Sequence, residues 1–158
     1  MRFYIKQHIF TWGDRFSIYG EDSSEKYYVE GEVFTWGKKL HVYEAHSRRE
    51  VAYIEQKVFS FLPKYYVYKN GEEVAEIVKE FTFFRHEYSV NGPNWLVQGD
   101  FFDHEYEMFD GDGVVVRVSK EWFTWGDAYE IDISSTVDEV TALAATLVID
   151  ACIEAERD

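Results

Sequence analysis

The tetrapeptide Phe-Thr-Trp-Gly occurs three times in 158 residues, at Phe10–Gly13, Phe34–Gly37 and Phe123–Gly126. Weaker copies fill the gap. Phe59-Ser60-Phe61 and Phe81-Thr82-Phe83 keep the order aromatic, small hydroxyl, aromatic, and Asp100-Phe101-Phe102 keeps the third position. Downstream of the copies, apolar and polar residues alternate, as in Phe16-Ser17-Ile18, Leu40-His41-Val42, Tyr88-Ser89-Val90 and Tyr129-Glu130-Ile131. A repeat of roughly 20–25 residues marks a supersecondary unit that shares its core with its neighbours.

Each unit reads as a strand, the aromatic corner, a second strand and a polar turn. Strands are expected near Arg2–His8, Arg15–Tyr19, Tyr27–Val33, Lys39–Glu44, Glu50–Gln56 and Tyr65–Lys69. Six more follow near Glu73–Lys79, Glu87–Val90, Trp95–Gly99, Glu105–Phe109, Val114–Ser119 and Ala128–Ile133. Lys69-Asn70-Gly71-Glu72 and Asp110-Gly111-Asp112-Gly113 carry hairpin-turn residues. The corner glycine admits backbone that a Cβ penalises. The corner aromatics stand two residues apart, so strand geometry sends both to one side. Packing into the core is the expectation for them, with a sugar- or base-stacking surface as the alternative.

The C-terminal segment differs in kind. Ser135 with Asp138, or Thr136 with Glu139, forms an N-cap signature. Thr141–Ile149 carries no charge, and apolar residues surround the expected helix at about 136–155. A helix apolar all round is buried, in protein or in lipid. A closed sheet has no exposed edge, and an eleven-stranded can already admits a central helix. The expected fold is mainly β: about twelve antiparallel strands (about 1–133) closing into a barrel around the C-terminal helix, one domain over 1–158. A two-sheet sandwich with the helix on one face is the competing picture.

Charge and composition narrow the function classes. Residues 1–79 hold 12 Lys/Arg and 12 Asp/Glu, whereas residues 80–158 hold 4 and 18, so the whole net charge of −14 belongs to the second half. That balance argues against nucleic acid, whose phosphates need cations. The single Cys152 leaves no disulfide framework, which points to a cytoplasmic setting. The N-terminus alternates and does not read as a signal peptide. No window reaches the ~20 apolar residues of a transmembrane helix.

Catalytic signatures are missing. The histidines His8, His41, His46, His86 and His104 form no His-x₃-His pair. No Gly-x-Ser-x-Gly elbow, phosphate loop or dinucleotide fingerprint occurs. Cys152 lies on the apolar helix and reads as a packed side chain. Asp100 with Asp103, and Asp110 with Asp112, fall at turns in water, where nothing raises a carboxyl pKa. The expectation is no enzyme and no cofactor.

The segments Gly99–Glu107 (Gly-Asp-Phe-Phe-Asp-His-Glu-Tyr-Glu) and Lys120–Tyr129 (Lys-Glu-Trp-Phe-Thr-Trp-Gly-Asp-Ala-Tyr), with the terminal apolar helix, carry a family resemblance. The chain resembles the LURP-one-related family, which groups with the tubby C-terminal domain and the phospholipid scramblases. The resemblance implies a twelve-stranded barrel around a buried helix, and it implies no established activity. Tubby-type domains are associated with phosphoinositides through basic residues on the barrel wall. The densest basic residues here are Lys38, Lys39, Arg48 and Arg49, which could occupy opposite ends of one strand. Scramblases carry an acidic, calcium-linked segment before their helix. Asp127, Glu130 and Asp132 stand in the comparable stretch, without an EF-hand spacing. Asp150 inside the helix, with no flanking basic anchors, favours burial in protein over membrane insertion. Together these readings describe a non-catalytic binding domain for phospholipid headgroups or a membrane-associated partner. The alternative is a protein-interaction scaffold that uses the acidic second half.

Overall fold

The computed structural model describes residues 1–6, 15–32, 36–81, 86–123 and 126–157; for 86, 121–123, 126–127 and 157 it describes the backbone. Along the strands, apolar side chains two apart face the interior. The first half supplies β1 (Arg2–Lys6), β2 (Arg15–Gly20), β3 (Glu25–Gly31), β4 (Lys39–Glu44), β5 (Glu50–Gln56) and β6 (Lys64–Lys69). The second half supplies β7 (Glu72–Phe81), β8 (His86–Asn91), β9 (Trp95–Asp100), β10 (Glu105–Asp110), β11 (Gly113–Phe123) and β12 (Gly126–Ile133). Each pairs antiparallel with its sequence neighbours, and β1 pairs with β12 through Phe3↔Ile131 and Ile5↔Tyr129. The result is the expected closed twelve-stranded barrel, and not the competing two-sheet sandwich.

Side chains two apart point inward on every wall. Phe3 and Ile5, Leu40 and Val42, Ile54, Tyr65 and Val67, Tyr88 and Val90, and Val116 and Val118 are all buried. They enclose α1 (Glu139–Arg157), the single helix among the described residues. Its uncharged stretch from Ala142 to Ile149 is buried throughout. Alanines at 142, 144, 145 and 151 let the wall approach the helix axis, which lies nearest β5, β6, β7 and β12. Thr146 is buried as well, and its hydroxyl donates to the Ala142 carbonyl 3.0 Å away, so no donor is stranded.

The helix begins later than expected. Its cap is Asp138 itself, which accepts from the Thr141 backbone N–H at 2.9 Å and from the Thr141 hydroxyl at 2.6 Å. Neither Ser135 nor Thr136 is the cap. Ser134 and Thr136 instead bond to each other in the turn before the helix. Lys69 holds Asp138 at 2.8 Å, and Tyr27 donates to Glu139, fixing the helix entry to one end of the barrel. The exit is held by Lys79, which pairs with Glu156 at the other end.

The two ends differ. At the entry end, the β2–β3, β4–β5, β6–β7 and β10–β11 hairpins each carry a register shift beside the turn. Such bulges sharpen twist and help close a sheet. At the exit end lie the described aromatic-corner residues Trp36, Phe59, Phe61, Phe81 and Phe102, and the β3–β4 and β5–β6 connections there run to seven residues each (32–38 and 57–63).

Candidate functional site

Those two long loops are packed together, because β4 and β5 are neighbours. The Lys38 backbone N–H donates to the Gln56 side-chain oxygen at 3.0 Å, and the Gln56 backbone N–H returns a 2.8 Å bond to the Lys38 carbonyl. Gly37 adopts φ +75, and a Cβ there would stand 3.0 Å from Val58 and 3.2 Å from the Gln56 carbonyl. The corner glycine of this copy is thus required both by its backbone and by the close approach of the neighbouring loop. A recess of about 360 Å³ opens beside it, lined by Gln56, Lys57, Phe59, Phe61 and Pro63.

The aromatics on these loops point outward. Trp36 is 80% exposed, Phe59 92% and Phe61 98%, with Phe81 at 72% and Phe102 at 51% on the neighbouring corners. This corrects the expectation of inward packing at those positions, whereas Phe101 of the Asp100-Phe101-Phe102 copy is buried as expected. At Trp36, Phe59 and Phe61 the physical reason is local: the loops leave the sheet, so the period of two that orients strand side chains no longer applies. Phe59 even adopts φ +64, a costly backbone for a residue with a Cβ. The aromatics at Phe10, Trp12, Phe34, Phe83 and Trp125 lie outside the described residues. For residues 57–63, the length of the spacer between strands was the available signal of a loop.

The structure separates the four basic residues singled out from the sequence. Lys38 and Lys39 stand at the start of β4, on the aromatic rim, beside Lys57. Arg48 and Arg49 occupy the β4–β5 turn at the opposite end. The six residues of β4 put roughly 20 Å between them. They form no common pocket.

The acidic candidates are already engaged. Glu130 accepts from the Tyr4 hydroxyl at 3.1 Å and lies 3.6 Å from Arg2 Nε. Asp132 lies 3.8 Å from Arg2 Nε and 3.9 Å from the N-terminal amine. The side chain of Asp127 lies outside the described residues. Cys152 is buried beneath Tyr65 and Tyr88, and burial pushes its thiol up to about 12. No thiolate nucleophile is available there near neutral pH.

One polar pair escaped the sequence reading. His104, buried in the β9–β10 loop, lies 3.8 Å from Asp150 on the helix and stacks on Tyr129 at 4.2 Å. Its acidic partner is not a sequence neighbour but a residue far along the chain.

The pattern characteristic of LURP-one-related proteins matches residues 1–150. The chain belongs to the LURP-one-related family. It is similar to the uncharacterized protein YxjI of Bacillus subtilis (strain 168), at 34% identity over 155 residues, 98% of this chain and 95% of that protein. The fold is similar to the X-ray structure of a protein from Arabidopsis thaliana, with a TM-score of 0.64 at 13% identity, over 97% of this chain and 90% of the other. At that identity the likeness concerns the barrel and helix alone. Among the described residues, no helix is long and apolar enough to cross a membrane.

Proposed function

We propose that this protein is a non-catalytic binding domain that docks on a phospholipid surface through its aromatic rim. The observation that carries this reading is the exposure of Trp36, Phe59 and Phe61 on two loops locked to each other. Contiguous exposed apolar surface on a folded chain marks an interaction site. Two features favour a bilayer. The rings stand on separate loop tips, a shape suited to entering between headgroups. Lys38, Lys39 and Lys57 stand behind them on the same loops, at the level where headgroup phosphates would sit. Trp and Lys together at an apolar edge is the composition of interfacial anchors.

Near an anionic surface each lysine contributes about 1 kcal/mol. The acidic second half, β7 to β12, is repelled by the same surface. Contact is thereby confined to the arc of the rim between β3 and β6. Arg48 and Arg49, at the far end, take no part.

Vesicle co-sedimentation tests the reading, using phosphatidylcholine alone and phosphatidylcholine mixed with anionic lipid. The wild-type chain sediments, more strongly with anionic lipid. Phe59→Ser with Phe61→Ser abolishes sedimentation without lowering the melting temperature. Lys38→Gln with Lys39→Gln weakens only the anionic component. A chain that stays in the supernatant at every composition refutes the proposal, and returns the search to a protein partner for the acidic half.

A further inference from the structure

Away from the rim, the outer wall carries a continuous aromatic row over four strands. Tyr28 on β3 stacks on Tyr43 on β4 at 4.9 Å; His41 on β4 meets Tyr53 on β5 at 4.9 Å; Tyr53 meets Tyr68 on β6 at 5.9 Å. The register aligns them: Tyr28↔Tyr43, His41↔Tyr53 and Tyr53↔Tyr68 are cross-strand partners. A groove of about 600 Å³ lies along the His41, Tyr53 and Tyr68 part of this row, edged by the carboxylates of Glu32, Glu50 and Glu55.

Both nitrogens of His41 are held by that edge. Nδ1 lies 2.6 Å from Glu50 and Nε2 lies 3.0 Å from Glu32. Burial by itself lowers the His41 pKa, but the bonds to Glu50 and Glu32 and their charges outweigh it and raise it above the ordinary histidine value. The ring thus bridges two carboxylates, one at each nitrogen.

The other end of the row shows what the surface does with a guanidinium. Arg15 Cζ lies over the Tyr28 ring, 3.9 Å from its centroid, while its Nη2 donates to Glu25 at 3.2 Å. A tyrosine face beneath and a carboxylate beside is an arrangement matched to arginine, which is planar, weakly hydrated and bidentate. The groove repeats it with Tyr53 and Tyr68 as faces and Glu32, Glu50 and Glu55 as edges.

From this repetition we infer that the β4–β6 groove is a recognition site for an arginine side chain of a partner polypeptide. The incoming guanidinium stacks on Tyr53 and takes over the carboxylates that His41 holds. His41 then gives up its proton to solvent, so binding strengthens as pH rises through the His41 midpoint. The groups that face His41 are Glu30 from β3, Glu32 just after β3, and Glu50, Tyr53 and Glu55 from β5; Lys39 and Tyr43 flank it on β4. The inference is independent of the rim and survives or fails without it.

Calorimetric titration with a blocked tri-arginine peptide, and with its tri-lysine counterpart, tests it on the whole chain. Arginine binds at least tenfold more tightly than lysine at equal charge. Glu50→Gln and Tyr53→Leu each weaken it about tenfold. Asp112→Asn removes the same charge from a remote exposed turn and changes affinity less than twofold. The peptide also lowers the pH midpoint of the His41 ring signals in NMR. Equal binding of the two peptides, or equal loss in Asp112→Asn and Glu50→Gln, reduces the effect to general attraction by a −14 chain and overturns the inference. Absence of arginine-peptide binding at millimolar concentration overturns it as well.

Discussion

His104 Nε2 and Asp150 Oδ1 face each other at 3.8 Å inside the barrel, both residues almost wholly removed from water. The loop residue and the helix residue meet only when the helix is fully seated. The hydroxyl of Tyr106, which has no hydrogen-bond partner among the described residues, lies beside this buried pair. Such a pair costs desolvation on both sides, and the loss of one member is felt unequally. His104→Phe leaves a buried carboxylate and is expected to cost about 3 kcal/mol. Asp150→Asn keeps the size of the side chain and removes its buried charge, and is expected to cost less. Urea denaturation of the two variants measures the order; the reverse order would show that the histidine, not the acid, bears the burial penalty.

Gly99 is expected to tolerate no side chain. Its φ of +149 is one that L residues rarely adopt, and a Cβ would stand 2.5 Å from the Tyr106 Cα and 2.5 Å from the Glu105 carbonyl. Those are backbone atoms of the paired strand and cannot turn aside. Gly99→Ala should cost about 2–3 kcal/mol, the scale of overpacking a tight site. A melting temperature within a degree or two of wild type would refute the close approach.

The wrapped helix and the rim should respond oppositely to truncation. Leu147 is fully enclosed, and Leu147→Ala is expected to cost about 2–5 kcal/mol in lost transfer energy and cavity formation. Phe61→Ser removes a larger ring from a site 98% exposed, and its expected effect lies within about 0.5 kcal/mol. Comparable losses in the two variants would mean that the rim ring packs against the fold.

Asp138 links the helix cap to pH. Burial works to raise its pKa, but the bonds from Lys69 and Thr141 prevail and lower it. A lowered carboxyl stabilises the fold above its unfolded value of about 3.9, and that contribution fades as pH falls toward the folded value. Asp138→Ala should cost about 1 kcal/mol at neutral pH, the usual worth of a cap. The variant should converge on wild type in acid. Denaturation curves at neutral and low pH check both statements; a constant gap between the two proteins would remove Asp138 from the acid response.

Much of the fold was legible because its signals are local. Pairs such as Phe3 and Ile5, or Val116 and Val118, announce an inward face by spacing alone. The uncharged run from Thr141 to Ile149 announces enclosure by composition. Lys38 and Arg48 were visible as a basic cluster in sequence, yet the intervening strand carries them to opposite ends. The direction of Trp36 and Phe61 was illegible, since a loop has no period to orient its side chains.

The chain's own order of residues determined the strand count and the buried helix, because period and apolarity act over a few neighbouring positions; the pairing of β1 with β12, which closes the wall, was decided by the fold. Tertiary structure decided what faces outward and what meets. Tyr28, Tyr43, Tyr53 and Tyr68 become one row only through the register of four strands. His104 finds Asp150 only through the seating of the helix. Contacts between residues far apart along the chain depend on how each pairing is offset from the next, and no short stretch of sequence contains that offset.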